Sequence, residues 1–164
     1  MAISRVYTQT LPKMRFIGKK YSGTELADGS VYGKWDEWFE NDLFSEIQQK
    51  TDLYEDGDAY IGLCRMPADG SIEYWIGVFA PAGSSVPKGY LSLDFEAADI
   101  AVCWVKGKEP DIYMEDCDAA LKENGLEWKP CADGTRCFLE RYCCPRFTEP
   151  DDEGNVILDK CFFI

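Results

Sequence analysis

Between residues 30 and 50 the apolar side chains Val31, Trp35, Trp38, Phe39, Leu43 and Ile47 recur at spacings of four, three, one, four and four. That is the stripe of an amphipathic helix, with Ser30 placed to cap its N-terminus. Beyond it the period changes. Two apolar runs, 59–66 and 72–79, flank the turn-forming "PADG" and predict a hairpin. The order then repeats. Residues 89–107 read as extended chain broken by a polar corner near Ala97 to Asp99. "PDIYMEDCDAALKENG" reads as a second helix, with Asp111 as cap and Asn-Gly as stop. Strands at about 135–143 and 156–163 follow, separated by the loop "PRFTEPDDEGN". With an opening strand near 14–21, the pattern is strand, helix, hairpin, twice over. Each helix leads into a hairpin and not into a single parallel crossover, so the predicted class is α+β: duplicated βαββ modules forming an antiparallel sheet.

At 164 residues the chain suits one core. It is read as a single domain, 1–164, with pseudo-repeats of about 1–85 and 86–164. Two helices cover only part of such a sheet, and a central cleft is expected over the remainder.

Charge narrows the partners. Thirty acidic against seventeen basic side chains leave a net charge of −13, which repels phosphate backbones and anionic membrane surfaces. Residues 1–34 hold six Lys/Arg against two Asp/Glu, so the acidity belongs to the later part of the chain. No apolar stretch reaches the roughly 20 residues that span a bilayer, and the N-terminus has no signal-peptide core. A cytoplasmic protein with no direct nucleic-acid or membrane partner is expected. The eight cysteines are then read as reduced, mostly small core hydrophobes.

Chemistry is bounded by what is missing. The chain has no histidine, which excludes Ser-His-Asp and Cys-His catalysis. Without histidine or a CxxC pair no metal site is expected, and without a Walker or GxGxxG loop no nucleotide cofactor. The acidic loop 149–154 lacks the ligand spacing of an EF-hand. Carboxylates, tyrosines or a cysteine must do any work.

One carboxylate stands out. "CFLERYCC" (137–144) sets Glu140 in an otherwise apolar strand, with Phe138 and Tyr142 on the same face of the pleat. Two readings follow. If the last hairpin registers Glu140 opposite Lys160, the charge is met by a cross-strand ion pair. If it does not, a carboxylate in an apolar pocket awaits a cationic ligand or serves as an acid or base.

Three segments resemble the GyrI-like small-molecule-binding domain, the effector-binding module of AraC- and MerR-type multidrug-sensing regulators. They are "EYWIGVFAP" (73–81), "VPKGYLSLDFEAADIAVCWVKG" (86–107) and "LERYCCPRF" with the close "DEGNVILDKCFFI". The resemblance implies a cleft between the halves that takes amphipathic, often cationic aromatic molecules, with Glu140 as charge partner. Ligand-binding candidates are Glu140, Tyr142, Phe138, Trp104, Tyr74, Trp75 and Trp38. Tyr74 and Trp75 lie on opposite faces of their strand, so only one of them can line a given cleft. The resemblance also implies an alternative, a hydrolase opening strained cyclopropanoid-type toxins with Glu140 and Tyr142 as catalytic residues. A third is gyrase-inhibitor-like protein interaction. No helix-turn-helix pattern is present, so DNA regulation by this chain alone is not expected.

Overall fold

The computed structural model describes residues 2–26, 30–48, 52–131 and 133–164. In chain order these form β1 (Ala2–Leu11), β2 (Met14–Ser22), α1 (Ser30–Glu40), β3 (Tyr60–Met66), β4 (Glu73–Pro81), β5 (Leu91–Phe95), β6 (Ala98–Gly107), a 3-10 turn (Asp111–Met114), α2 (Asp118–Glu123), β7 (Arg136–Tyr142) and β8 (Val156–Phe163). The class is α+β. All eight strands join one antiparallel sheet in the order β1-β6-β8-β7-β3-β4-β2-β5. Exchanging each strand of the first half for its counterpart in the second returns that order reversed, so the duplication is built into the topology.

Three elements differ from expectation. β1 was not foreseen, because its outward residues are polar and its burial is shallow, as suits an edge strand. It pairs with β6 of the other half from Ala2 opposite Lys106 to Leu11 opposite Ala98. The first helix is shorter than its stripe predicts. It ends at Glu40, and Asp42 adopts a positive φ of 51° that α-helix cannot accommodate. Leu43, Phe44 and Ile47 still dock, now from successive turns. The second helix is likewise broken: Pro110 precedes the 3-10 turn without a side-chain cap, and Asp111 lies inside that turn. The capping expected of Ser30 concerns a side chain outside the described residues. Among the described residues no helix is long and apolar enough to cross a membrane.

Only Pro12 and Lys13 separate β1 from β2, and only Glu96 and Ala97 separate β5 from β6, yet each pair stands near opposite ends of the sheet. So short a link spans only about 10 Å, and the sheet must curl until its ends meet. Phe95 of β5 stacks on Phe163 of β8 at 5.7 Å across that seam. Residues from seven strands fill the inner side, among them Phe16, Leu63, Phe79, Val102 and Leu139. The outer side is covered in two places. α1 and the turns after it close over Ile17, Tyr21, Ile76 and Val78, while the 3-10 turn and α2 close over Ala101, Cys103, Val105 and Leu158.

The inner side also buries charge. Asp159 is fully buried; it accepts hydrogen bonds from Arg141 Nε at 2.9 Å and from Arg146 Nη2 at 2.6 Å. Arg146 also reaches Asp56 at 2.8 Å, and Arg141 donates to Gln9 and Tyr7 of β1. The network ties the edge strand, the central strands and two loops together. Because Arg141 is only 1% exposed, neutralising its partner leaves a charge that water cannot reach. Asp159→Asn is expected to lower stability by about 3–5 kcal/mol, measured as the shift in urea midpoint at constant m-value.

Candidate functional site

The covers leave a gap over β3 and β7. There a cavity of about 570 Å³ opens between α1 and the 3-10 turn, with the segment after β7 closing a third side. Its volume lies in the range of small-molecule sites. The floor is Tyr60, Tyr74, Glu140 and Tyr142; α1 contributes Tyr32, Trp35, Asp36 and Phe39, and the opposite wall has Glu109, Tyr113 and Phe147. Among the described residues the lining holds three carboxylates and no Lys or Arg.

β7 sends alternate residues through the pleat. Leu139 and Arg141 face the inner core, so Glu140 and Tyr142 face out into the cavity. Tyr74 stands on β4, a full strand further away, and must lie across β3 to reach Glu140. Gly62 makes that possible. It is the residue of β3 opposite Glu140, and a Cβ at Gly62 would fall 2.2 Å from the Tyr74 hydroxyl and 3.1 Å from Glu140 Oε2. In the notch, Tyr74 donates to Glu140 Oε2 at 3.0 Å and Tyr142 donates to the same oxygen at 2.9 Å. One helical turn before Trp38, Trp35 completes the chain, its indole donating to the Tyr74 hydroxyl at 3.1 Å while its ring meets Tyr142 edge-on at 4.8 Å.

The expected register is present, but the ion pair is not. Glu140 is opposite Lys160, yet the Lys160 ammonium donates to the carbonyl oxygens of Tyr113 and Glu115, at 2.9 and 2.8 Å. There it caps the end of the 3-10 turn. Burial pushes the Glu140 carboxyl above its usual range, and the hydrogen bonds from Tyr142 and Tyr74 and the more distant Lys160 only partly offset it. Burial and then the Glu140 charge hold both tyrosine hydroxyls well above the ordinary phenol range, so they remain donors.

Of the other expected ligand residues, the structure brings only Tyr74 and Tyr142 to Glu140. Phe138 is on their face but stacks on Phe162 and meets Trp128, outside the cavity lining. Trp75 is buried in the inner core. Trp104 is also on the inner side, against Tyr7 and beneath Arg146. Trp38 is fully buried and donates to the Tyr21 hydroxyl at 2.8 Å. Trp35, Tyr113, Tyr32, Phe39 and Gly62 were not anticipated as site residues. A glycine directly opposite the odd carboxylate was the available signal for the last.

No protein-family model and no curated protein sequence matches the chain. Solved structures do. A proposed transcription regulation protein from Staphylococcus aureus MU50 superposes with a TM-score of 0.67 at 19% identity, over 97% of each chain. SAV2435 bound to tetraphenylphosphonium gives 0.68 at 17%, over 97% of this chain and 93% of that one. The C-terminal domain of EcmrR gives 0.59 at 12%, over 97% and 96%. At these identities the likeness shows a shared fold. In this fold the cavity occupies the junction of the two halves, where the topological two-fold places β3 beside β7.

Two predictions follow from an anionic group buried without a counter-ion. An unfolded glutamate titrates near pH 4.3 and folding raises that value, so the native state holds the extra proton between the two. Stability therefore falls as pH rises through this window and stays reduced above it. Glu140→Gln is expected to raise the melting temperature at neutral pH, by roughly 2–4 °C per kcal/mol relieved, and to lose that advantage below about pH 4. Thermal scans from acid to neutral pH measure both. Gly62→Ala is expected to displace Tyr74 and lower stability by about 1–3 kcal/mol, read from denaturant midpoints.

Proposed function

We propose that this cavity binds small amphipathic cations with aromatic surface, in drug or effector sensing or sequestration. The observation that carries the reading is the Glu140 carboxylate, held among the described residues by hydroxyls alone, at the floor of an aromatic cavity whose described lining has no basic residue. A bound cation supplies the missing counter-charge, and ring contacts add about 0.5–2 kcal/mol each. An apolar cavity with one deep charge selects for charge and flatness and discriminates loosely among shapes. The same fold in SAV2435 with tetraphenylphosphonium, and in regulator-related proteins, supports the reading.

Titration with tetraphenylphosphonium is expected to quench tryptophan fluorescence saturably, with Trp35 as the wall reporter. Triphenylphosphine oxide, similar in aromatic surface but uncharged, should bind at least about tenfold more weakly, a difference of about 1.4 kcal/mol. Glu140→Gln should erase the preference. Affinity for the cation should rise with pH as Glu140 ionises. Equal affinity for the two compounds, or a preference that survives Glu140→Gln, overturns the reading.

A hydrolytic reading uses the same dyad. Both tyrosines donate to Oε2, and among the described residues no hydrogen bond holds Oε1, which leaves an oxygen able to orient a water toward an electrophilic strained ring. Steady product formation slowed by both Glu140→Gln and Tyr142→Phe would favour it, and stoichiometric binding without product would exclude it.

A further inference from the structure

Cys131 precedes β7, and Cys137 is the second residue of that strand. Cys131 N donates to Thr135 O at 2.8 Å and Gly134 N to Cys131 O at 2.9 Å, which brings the two side chains together. Their sulfurs share a hydrogen bond at 3.8 Å. Cys137 is buried and Cys131 half-buried, and both line a second cavity of about 460 Å³ at the seam of the curled sheet. Leu93, Phe95 and Phe163 form its apolar side. This mouth opens onto the inner core and shares no lining residue with the Glu140 cavity.

The pair differs in kind. The hydrogen bond shared with Cys137 holds the Cys131 thiol down at about 7, with help from Arg65 and against burial and Asp133. Asp94, Glu96 and Lys129 are the remaining charged groups of the cavity. Of the other thiols only Cys144 is exposed. Cys103, Cys117, Cys143 and Cys161 are buried, and burial together with Glu140 pushes Cys64 up to about 11. A half-open thiolate with a buried thiol in contact is the arrangement of an attacking and a resolving cysteine.

We propose that Cys131 and Cys137 form a reversible dithiol switch oxidised by hydroperoxides that enter the second cavity. The Cys131 thiolate attacks one peroxide oxygen. An S–O bond forms as O–O breaks, the departing oxygen takes a proton and leaves as water or alcohol, and Cys131 becomes a sulfenic acid. Cys137 then attacks that sulfur; S–S forms, S–O breaks, and the hydroxyl leaves with the Cys137 proton as water. Two electrons pass from the thiols to the peroxide. The sulfurs stand 3.8 Å apart and close to about 2.05 Å in the disulfide.

The reduced full chain treated with hydrogen peroxide near pH 7, then alkylated with iodoacetamide and peptide-mapped, tests this. The expected product has lost two hydrogen atoms, carries a Cys131–Cys137 cross-link and reverts with dithiothreitol. The buried pair Cys103 and Cys117 should stay reduced. Without peroxide, Cys131 should be alkylated roughly threefold faster than an ordinary free thiol, the gain in thiolate being partly offset by lower nucleophilicity. Cys131→Ser should leave Cys137 reduced. Unchanged mass, Cys131 oxidised without a cross-link, or a disulfide through exposed Cys144 overturns the proposal.

Discussion

Strand β7 carries two opposite charges side by side, Glu140 and Arg141, and the pleat sends them to opposite faces of one sheet. Arg141 goes inward to a buried aspartate, with Gln9 and Tyr7 around it. Glu140 goes outward to a cavity where only hydroxyls meet it. A slip of one residue would drive the guanidinium into the aromatic cavity and set the carboxylate against the inner core. Either misplacement strands a buried charge, so the network around Asp159 holds the register from which the site follows.

That arrangement explains why the carboxylate is neither neutralised nor absent. Lys160 is in register to pair with it, but the open end of the 3-10 turn offers two carbonyl oxygens and claims the ammonium instead. Those carbonyls belong to the segment that walls the cavity, so the same lysine that withdraws from Glu140 secures Tyr113 above it. Under the proposed function, the destabilising buried carboxylate is a trade of native stability for binding. Gly62 completes the trade by leaving a strand position empty, so that Tyr74 can cross from β4.

The curled sheet gives the molecule two chemically separate surfaces. Outward-facing residues of β7 serve the acidic aromatic cavity, while inward-facing Cys137 belongs to the seam where β5, β8 and the Cys131 turn converge. A strand of seven residues therefore lines both cavities from alternate positions.

The α+β class, the repeated strand, helix and hairpin order and the strand ends near 66, 81, 107, 142 and 163 were legible because local hydrophobic periodicity survives in the folded state. So was the singularity of Glu140, since a lone charge on an apolar face is conspicuous without coordinates. The partners of that charge were not. Trp35 and Trp38 occupy one helical stripe, and the rotation of α1 on the sheet decided that Trp38 is core and Trp35 is wall. Phe138, Trp75 and Trp104 have the composition of a binding wall, yet the sheet's curl directs them to other clusters. β1 escaped notice because its pairing is with a strand almost a hundred residues away, and no local pattern encodes that. The sequence by itself determined which residues alternate and which charge stands alone. Which neighbours that charge received depended on sheet closure, which brings together residues distant along the chain.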